Sequence, residues 1–178
     1  MLSAILMILA GFVVIGLIIV ANAYFVAQEF SYMSVDRTQL RTQAAEGDKT
    51  AQRALAITQQ TSFMLSGAQL GITITGLLIG YVAEPLVGQG LGTLLGGVGV
   101  PAAVSVTIGT IAALFISTIA TMLFAELFPK NYTIAAPMKT ARWLAASTQL
   151  YLRLFGWLIR FFEYSSNACL LYTSDAAD

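Results

Sequence analysis

Thr121-Met-Leu-Phe-Ala-Glu-Leu-Phe-Pro-Lys130 closes a long apolar run with a single carboxylate, Glu126, and follows it three residues later with Pro129. A carboxylate at the end of a membrane span is costly to hold in hydrocarbon and needs a partner, so Glu126 is a candidate functional residue. Pro129 has no N–H, and in an α-helix the carbonyl left unserved is four residues back, on Ala125. An anionic oxygen beside a freed backbone oxygen is a donor pair for a hard cation.

Composition places this stretch in a bilayer. Of 178 residues, 57% are hydrophobic and only 10% are charged, against about 25% charged in an ordinary soluble domain. The net charge is zero, so no basic field recruits nucleic acid, and none is expected as a partner. Histidine is absent, which excludes His-based acid–base catalysis, Ser-His-Asp triads and His-containing zinc sites. The single cysteine, Cys169, excludes an internal disulfide framework and any multi-cysteine metal site. With no nucleophile–base set and no cofactor motif, the chain is not expected to be an enzyme. The tail from Cys169 to Asp178 resembles the translation of a transposase-type sequencing adapter, and residues 169–178 are set aside from the fold.

Three runs are long enough to cross ~30 Å of hydrocarbon at ~1.5 Å per residue: about 2–26, 62–82 and 102–126. The first ends among Asn22, Gln28 and Glu29. Asn22 and Glu29 lie two turns apart on one face, either as an interfacial collar or as part of a site. The second carries no charge but has a stripe of Ser66, Gln69, Thr73, Gly76 and Gly80, spaced 3, 4, 3 and 4. Small and hydroxyl residues on one face serve helix packing in membranes. Gln69 points instead to ligation, because an amide at mid-depth is a poor packing residue. In the third span Thr118, Met122 and Glu126 share a face, with Ser117 and Thr121 beside it.

The remaining segments are juxtamembrane. Residues 31–60 hold Arg37, Arg41, Lys49 and Arg53, and Ala45-Glu-Gly-Asp48 breaks them into two helices. The connection 84–101 is rich in glycine, lacks a phosphate-loop ending, and reads as an interfacial loop with a short helix. Residues 131–163 mix arginine with Trp143, Tyr151, Phe155, Trp157, Phe161 and Phe162, as in a helix lying along the interface; a fourth span is the alternative. All nine Lys and Arg fall in 31–60 or from Lys130 onward. Three spans put both basic segments on one side, the cytoplasm by the positive-inside rule, with the N-terminus outside and the C-terminus inside the plasma membrane. The six arginines Arg37, Arg41, Arg53, Arg142, Arg153 and Arg160 are expected to face anionic lipid or further domains.

Three motifs carry a resemblance: Asn22-Ala-Tyr-Phe-Val-Ala-Gln-Glu-Phe30, Gln69-Leu-Gly-Ile-Thr73 and Ala125-Glu-Leu-Phe-Pro-Lys130. Over residues 1–168 they resemble the transmembrane domain of the CorC/cyclin M (CNNM) family of magnesium transporters, the hemolysin-like proteins of bacteria. The last is similar to the family's Gly-Glu-Leu-x-Pro-Lys signature. The resemblance implies three spans with a cytoplasmic helical belt, a homodimer, and one dehydrated Mg²⁺ held by hydroxyl, amide and carboxylate oxygens. It also implies CBS-pair and CorC-HlyC domains after the membrane part. Val26 and Gln28 stand where many members have serines, and Gln69 and Thr73 where many have asparagines.

The fold class expected is therefore an all-α integral membrane domain of three helices with a juxtamembrane belt. The function expected is Mg²⁺ transport, outward and coupled to Na⁺. Glu126 supplies the charge, and Ser66, Gln69, Thr73, Asn22 and the Ala125 carbonyl supply neutral oxygens. The alternative is a membrane anchor and sensor that transports nothing, in which Glu126 pairs with Lys130, four residues on.

Overall fold

The computed structural model describes residues 2–97 and 99–175, and the side chains within them except those of 83, 84, 102 and 167–175. The whole set-aside tail, 169–178, therefore falls outside the described side chains. Every element is helical among the described residues: α1 (Leu2–Ser34), α2 (Arg37–Ala45), α3 (Lys49–Thr58), α4 (Thr61–Val82), α5 (Gln89–Gly97), α6 (Ala102–Ala120), α7 (Phe128–Ala135), α8 (Pro137–Leu154) and α9 (Gly156–Asp175). Two wider π-helical segments, Ala83–Gly88 and Thr121–Leu127, join α4 to α5 and α6 to α7. Three continuous helical stretches, Leu2–Ser34, Thr61–Gly97 and Ala103–Ala135, are apolar enough to cross a bilayer. Only 22–25% of their most apolar windows is buried within the chain. Side chains such as Leu17, Val20, Leu77 and Phe115 stay mostly exposed. Helices that are apolar all round and yet uncovered have lipid as their solvent.

The chain divides into two compact units. The first comprises Met1–Val26 and Ile72–Pro129. Its core joins Ile15, Ile19, Ile79, Val87, Ala113 and Ala125. The glycine-rich connection holds the short helix expected but is helical as far as Gly97, and its glycines let backbones touch. A Cβ on Gly90 would strike Ile8, and one on Gly92 would lie 3.1 Å from the Val106 Cα. At Gly109 a Cβ would collide with the Gly88 carbonyl oxygen and lie 2.7 Å from the Gly92 nitrogen. In a membrane, where apolar burial supplies little drive between helices, such close approach supplies the van der Waals attraction.

The second unit comprises Ala27–Gly71 and Lys130–Asp178. Tyr32, Leu40, Ala51, Ala54, Ile57, Met64, Ala141 and Ala145 form its core. The Tyr32 hydroxyl donates to the Ala141 carbonyl at 3.0 Å, and the Tyr151 hydroxyl to that of Gly67 at 2.9 Å. The break at 45–48 follows from local chemistry. Gly47 takes a positive φ of 93°, and the Asp48 carboxylate then caps α3 by accepting from the amides of Thr50 and Ala51. Arg142 corrects one expectation, because it does not reach out to lipid. Its guanidinium pairs with Asp48 and donates to the Gln43 amide oxygen, tying α8 to the α2–α3 turn. The Ala51 amide, the Thr50 amide and Arg142 hold the Asp48 carboxyl below its ordinary value, against a smaller opposing desolvation.

Gly109→Ala is expected to cost about 1–3 kcal/mol, because the added methyl meets backbone that cannot rotate away. Gly16→Ala, whose Cβ would meet nothing within 4 Å, should leave the thermal midpoint in detergent unchanged. Asp48→Ala should lower that midpoint at neutral pH. Since the folded-state pKa is depressed, the stabilisation from Asp48 is present above the ordinary carboxyl value of 3.8 and is lost as pH falls below it. The difference between the two proteins should therefore narrow in acid.

Candidate cation site

The site grows from the proline break. Pro129 cannot donate to the helical ladder, and its ring crowds the carbonyl four residues back. The chain stays helical by widening: Thr121–Leu127 is π-helical, and the Phe128 amide reaches back five residues to the Leu123 carbonyl. In that register the donor missing at Pro129 would have served Phe124. By that register the acceptor left by Pro129 would be Phe124 rather than the Ala125 expected, and Ala125 itself is fully buried in the core of the first unit. Single-turn π insertions of this kind recur at functional sites.

Glu126 sits on this widened turn with its side chain exposed, and has no ion pair or hydrogen bond among the described residues. It lines an open cavity of about 390 Å³ in the first unit, together with Gly76, Gly80, Ser117, Thr118 and Thr121. The two glycines make the space, since a Cβ on either would meet nothing within 4 Å. Among the described residues they pack against no other helix. The hydroxyls are already oriented: Thr121 donates to the Ser117 carbonyl at 2.7 Å, and Ser117 to that of Leu114 at 3.0 Å. A hydroxyl that has placed its proton keeps its lone pairs as acceptors or ligands.

The other residues expected at the site are distributed between the units. In the first, Asn22 is buried; its amide nitrogen donates to the Ile72 carbonyl at 3.4 Å, and its Oδ1 has no partner among the described residues. Thr73 is exposed and does not line the cavity around Glu126. Ser66 and Gln69 belong to the second unit, where Gln69 donates to the Glu29 carboxylate at 2.8 Å. Glu29 is therefore engaged by the second-span amide rather than left as a collar charge. Lys130 lies in the same unit with its ammonium 4.9 Å from the centre of the Phe30 ring.

Three features escaped the sequence reading as site components. Ser117 and Thr121 were visible only as neighbours of the Glu126 face, and the π turn is what brings them to one cavity. Gln28 is fully buried with neither amide atom hydrogen-bonded among the described residues; in the sequence it reads as part of a polar collar. Its position one turn before Tyr32, four residues on and buried on the same face of α1, is the signal that could have marked it as inward-facing. No group of three His, Cys, Asp or Glu side chains gathers among the described residues. Charge at the Glu126 cavity thus comes from one carboxylate, and any further ligands there are neutral oxygens.

The fold defines an all-α multi-pass membrane domain with one carboxylate at a helix discontinuity. The sequence matches the family model for the Cyclin M transmembrane N-terminal domain over residues 12–176. It is 37% identical over 156 residues to protein Rv1841c of Mycobacterium tuberculosis, covering 86% of this chain and 44% of that protein. Against the UPF0053 protein MT1890 of the same species it is 40% identical over 146 residues, covering 80% and 31%. Against the UPF0053 protein YhdT of Bacillus subtilis it is 32% identical over 144 residues, again covering 80% and 31%. The chain belongs to the cyclin M transmembrane domain family, as its three motifs suggested, and spans less than half the length of these relatives.

Because Glu126 is exposed and unpaired, Glu126→Gln should leave the thermal midpoint unchanged or raise it slightly, since a neutral amide is easier to hold near hydrocarbon. A fall of several degrees would mean that the carboxylate holds a structural partner.

Proposed function

We propose that this domain moves Mg²⁺ across the plasma membrane, with the Glu126 cavity as the place where the ion sheds water. The observation that carries the reading is one unpaired carboxylate facing a cavity lined by pre-oriented hydroxyls at a break in a membrane helix. Mg²⁺ demands near-octahedral oxygen ligands and gives up its waters reluctantly. One carboxylate offsets part of that cost, and the hydroxyl oxygens of Ser117 and Thr121, the Phe124 carbonyl and retained waters supply neutral ligands. Discontinuous helices at membrane depth serve many transporters in this way. Asn22 and Thr73 are the further candidates within the same unit. The ligand set proposed here rests on that unit alone and does not call on Ser66, Gln69 or the Ala125 carbonyl. Family membership supports the membrane setting. Outward transport, exchange with Na⁺ and a homodimeric assembly belong to the proposal.

The clustering of basic residues on two segments supports a cytoplasmic C-terminus and an external N-terminus. The greater length of the relatives leaves room for cytoplasmic domains of the CBS-pair and CorC-HlyC kinds. If such domains govern the membrane part, a chain that only anchors and senses is the competing reading.

The test is Mg²⁺ flux in liposomes, with the full chain beside Glu126→Gln and Gly80→Leu, under Na⁺ gradients of either sign. Both variants should fold and both should lose most of the flux, the first by removing the charge and the second by filling the cavity. Flux that follows the Na⁺ gradient supports exchange, and flux indifferent to it removes the coupling. Flux unchanged in Glu126→Gln would place the ion elsewhere. If neither this chain nor a relative of full length carried Mg²⁺, the anchor reading would stand.

A further inference from the structure

The second unit contains a cavity that the cation reading does not use. It measures about 370 Å³ and opens where the turn between α3 and α4 faces the kink between α8 and α9. Gln60, Phe63, Gln149, Arg153, Trp157 and Arg160 supply its working surface. The kink falls at Phe155 and Gly156, where a Cβ would lie in ordinary contact with the Phe63 ring, 3.4 Å away. Arg160 is steadied by the same ring, its guanidinium 5.8 Å from the ring centre.

Charge is unevenly used in this unit. Arg142 is neutralised by Asp48, and Arg37 donates to the Thr61 hydroxyl at 3.0 Å. Among the described residues Arg153 and Arg160 have no carboxylate partner, and the side-chain amides of Gln60 and Gln149 have no hydrogen bond. Arg53 adds a third guanidinium in an adjoining recess with Gln149 and Arg153. Among the described residues Glu163 is the one carboxylate in the adjoining recesses, sharing one with Arg160 and the first residues of α4. The balance is positive, and it surrounds a space.

Two guanidiniums flanked by amide donors match the oxygens of a phosphate, which accepts paired N–H bonds from each. Depth selects among phosphates. The cavity adjoins the first residues of α4, a 22-residue helix without a charge, at the level where that span begins. Trp157, Phe161 and Tyr164 project from α9 with 62–77% of their surface exposed. Exposed aromatics beside arginine at the end of a span mark the headgroup layer. We infer that this cavity is a headgroup site for an anionic phospholipid, its phosphate held between Arg153 and Arg160 with Gln60 and Gln149 donating, and Trp157 against the glycerol and upper chains. The inference does not depend on Glu126 or on any transported ion.

Trp143 and Trp157 are the only tryptophans, so Trp143→Phe leaves Trp157 as a lone reporter. The full chain in nanodiscs is titrated with phosphatidylglycerol brominated near its headgroup, or with equally brominated phosphatidylcholine. Phosphatidylglycerol should quench Trp157 at lower mole fraction. R153Q/R160Q should weaken that preference about tenfold, whereas R41Q/K139Q, which removes equal charge from exposed positions of the same unit, should preserve it. R153K/R160K, which keeps the charge but loses the paired geometry, should fall between, and provides the test if the glutamine variant does not fold. Equal quenching by the two lipids, or equal loss in R41Q/K139Q, would reduce the effect to a diffuse field and overturn the site. Displacement of the lipid by inorganic phosphate at matching concentration would overturn the assignment to lipid. Lysine variants as good as the parent would remove the paired contact.

Discussion

A proline within a membrane helix removes a hydrogen bond where no water can replace it, and this constraint shapes the third span. Every peptide group in hydrocarbon has to be satisfied within the protein, because an orphaned one costs several kcal/mol or about that order. The chain answers Pro129 by widening its ladder over Thr121–Leu127, so that Phe128 bonds to Leu123 and the helix continues to Ala135. In the widened register the carbonyl left by Pro129 would be that of Phe124. The widened turn also brings Glu126 to a cavity with Ser117, Thr118 and Thr121. The break thus sets the register of Glu126 against the hydroxyls, and Gly76 and Gly80 leave the space beside them.

Glycine does two opposite things in the first unit. At Gly88, Gly92 and Gly109 the missing side chain lets backbones meet, which holds the α5–α6 hairpin together. At Gly76 and Gly80 it leaves open volume beside the carboxylate. Composition cannot distinguish these uses, since both appear as glycine spaced along an apolar helix. Only the identity of the neighbour, backbone in one case and nothing in the other, separates a packing contact from a cavity.

The second unit divides its charges in a comparable way. Asp36 and Asp48 cap helices, and Arg142 is drawn inward to Asp48, so these groups build the fold. Among the described residues Arg153 and Arg160 remain unneutralised around a cavity. A count of basic residues treats all of them as one belt. Arg142 is only half-buried and its charge is offset by Asp48, whereas arginines without such a partner among the described residues are available to an external anion.

Much of the architecture was legible from residue order alone. Length and apolarity define three spans, because the bilayer thickness sets a minimum run and admits only helices. Gly47 and Asp48 announce the α2–α3 break by local chemistry that needs no partner, and Glu-Leu-x-Pro-Lys marks the critical turn and the family. Several facts were not legible because they depend on partners distant in sequence. The engagement of Gln69 by Glu29, the inward turn of Arg142 and the helical packing of the glycine-rich connection each require a surface that only folding brings near. The register of the π turn is of the same kind. Sequence determines that Pro129 breaks the ladder, but the packing of Ala125 into its core accompanies the shift that decides which carbonyl is left and which hydroxyls gather beside Glu126.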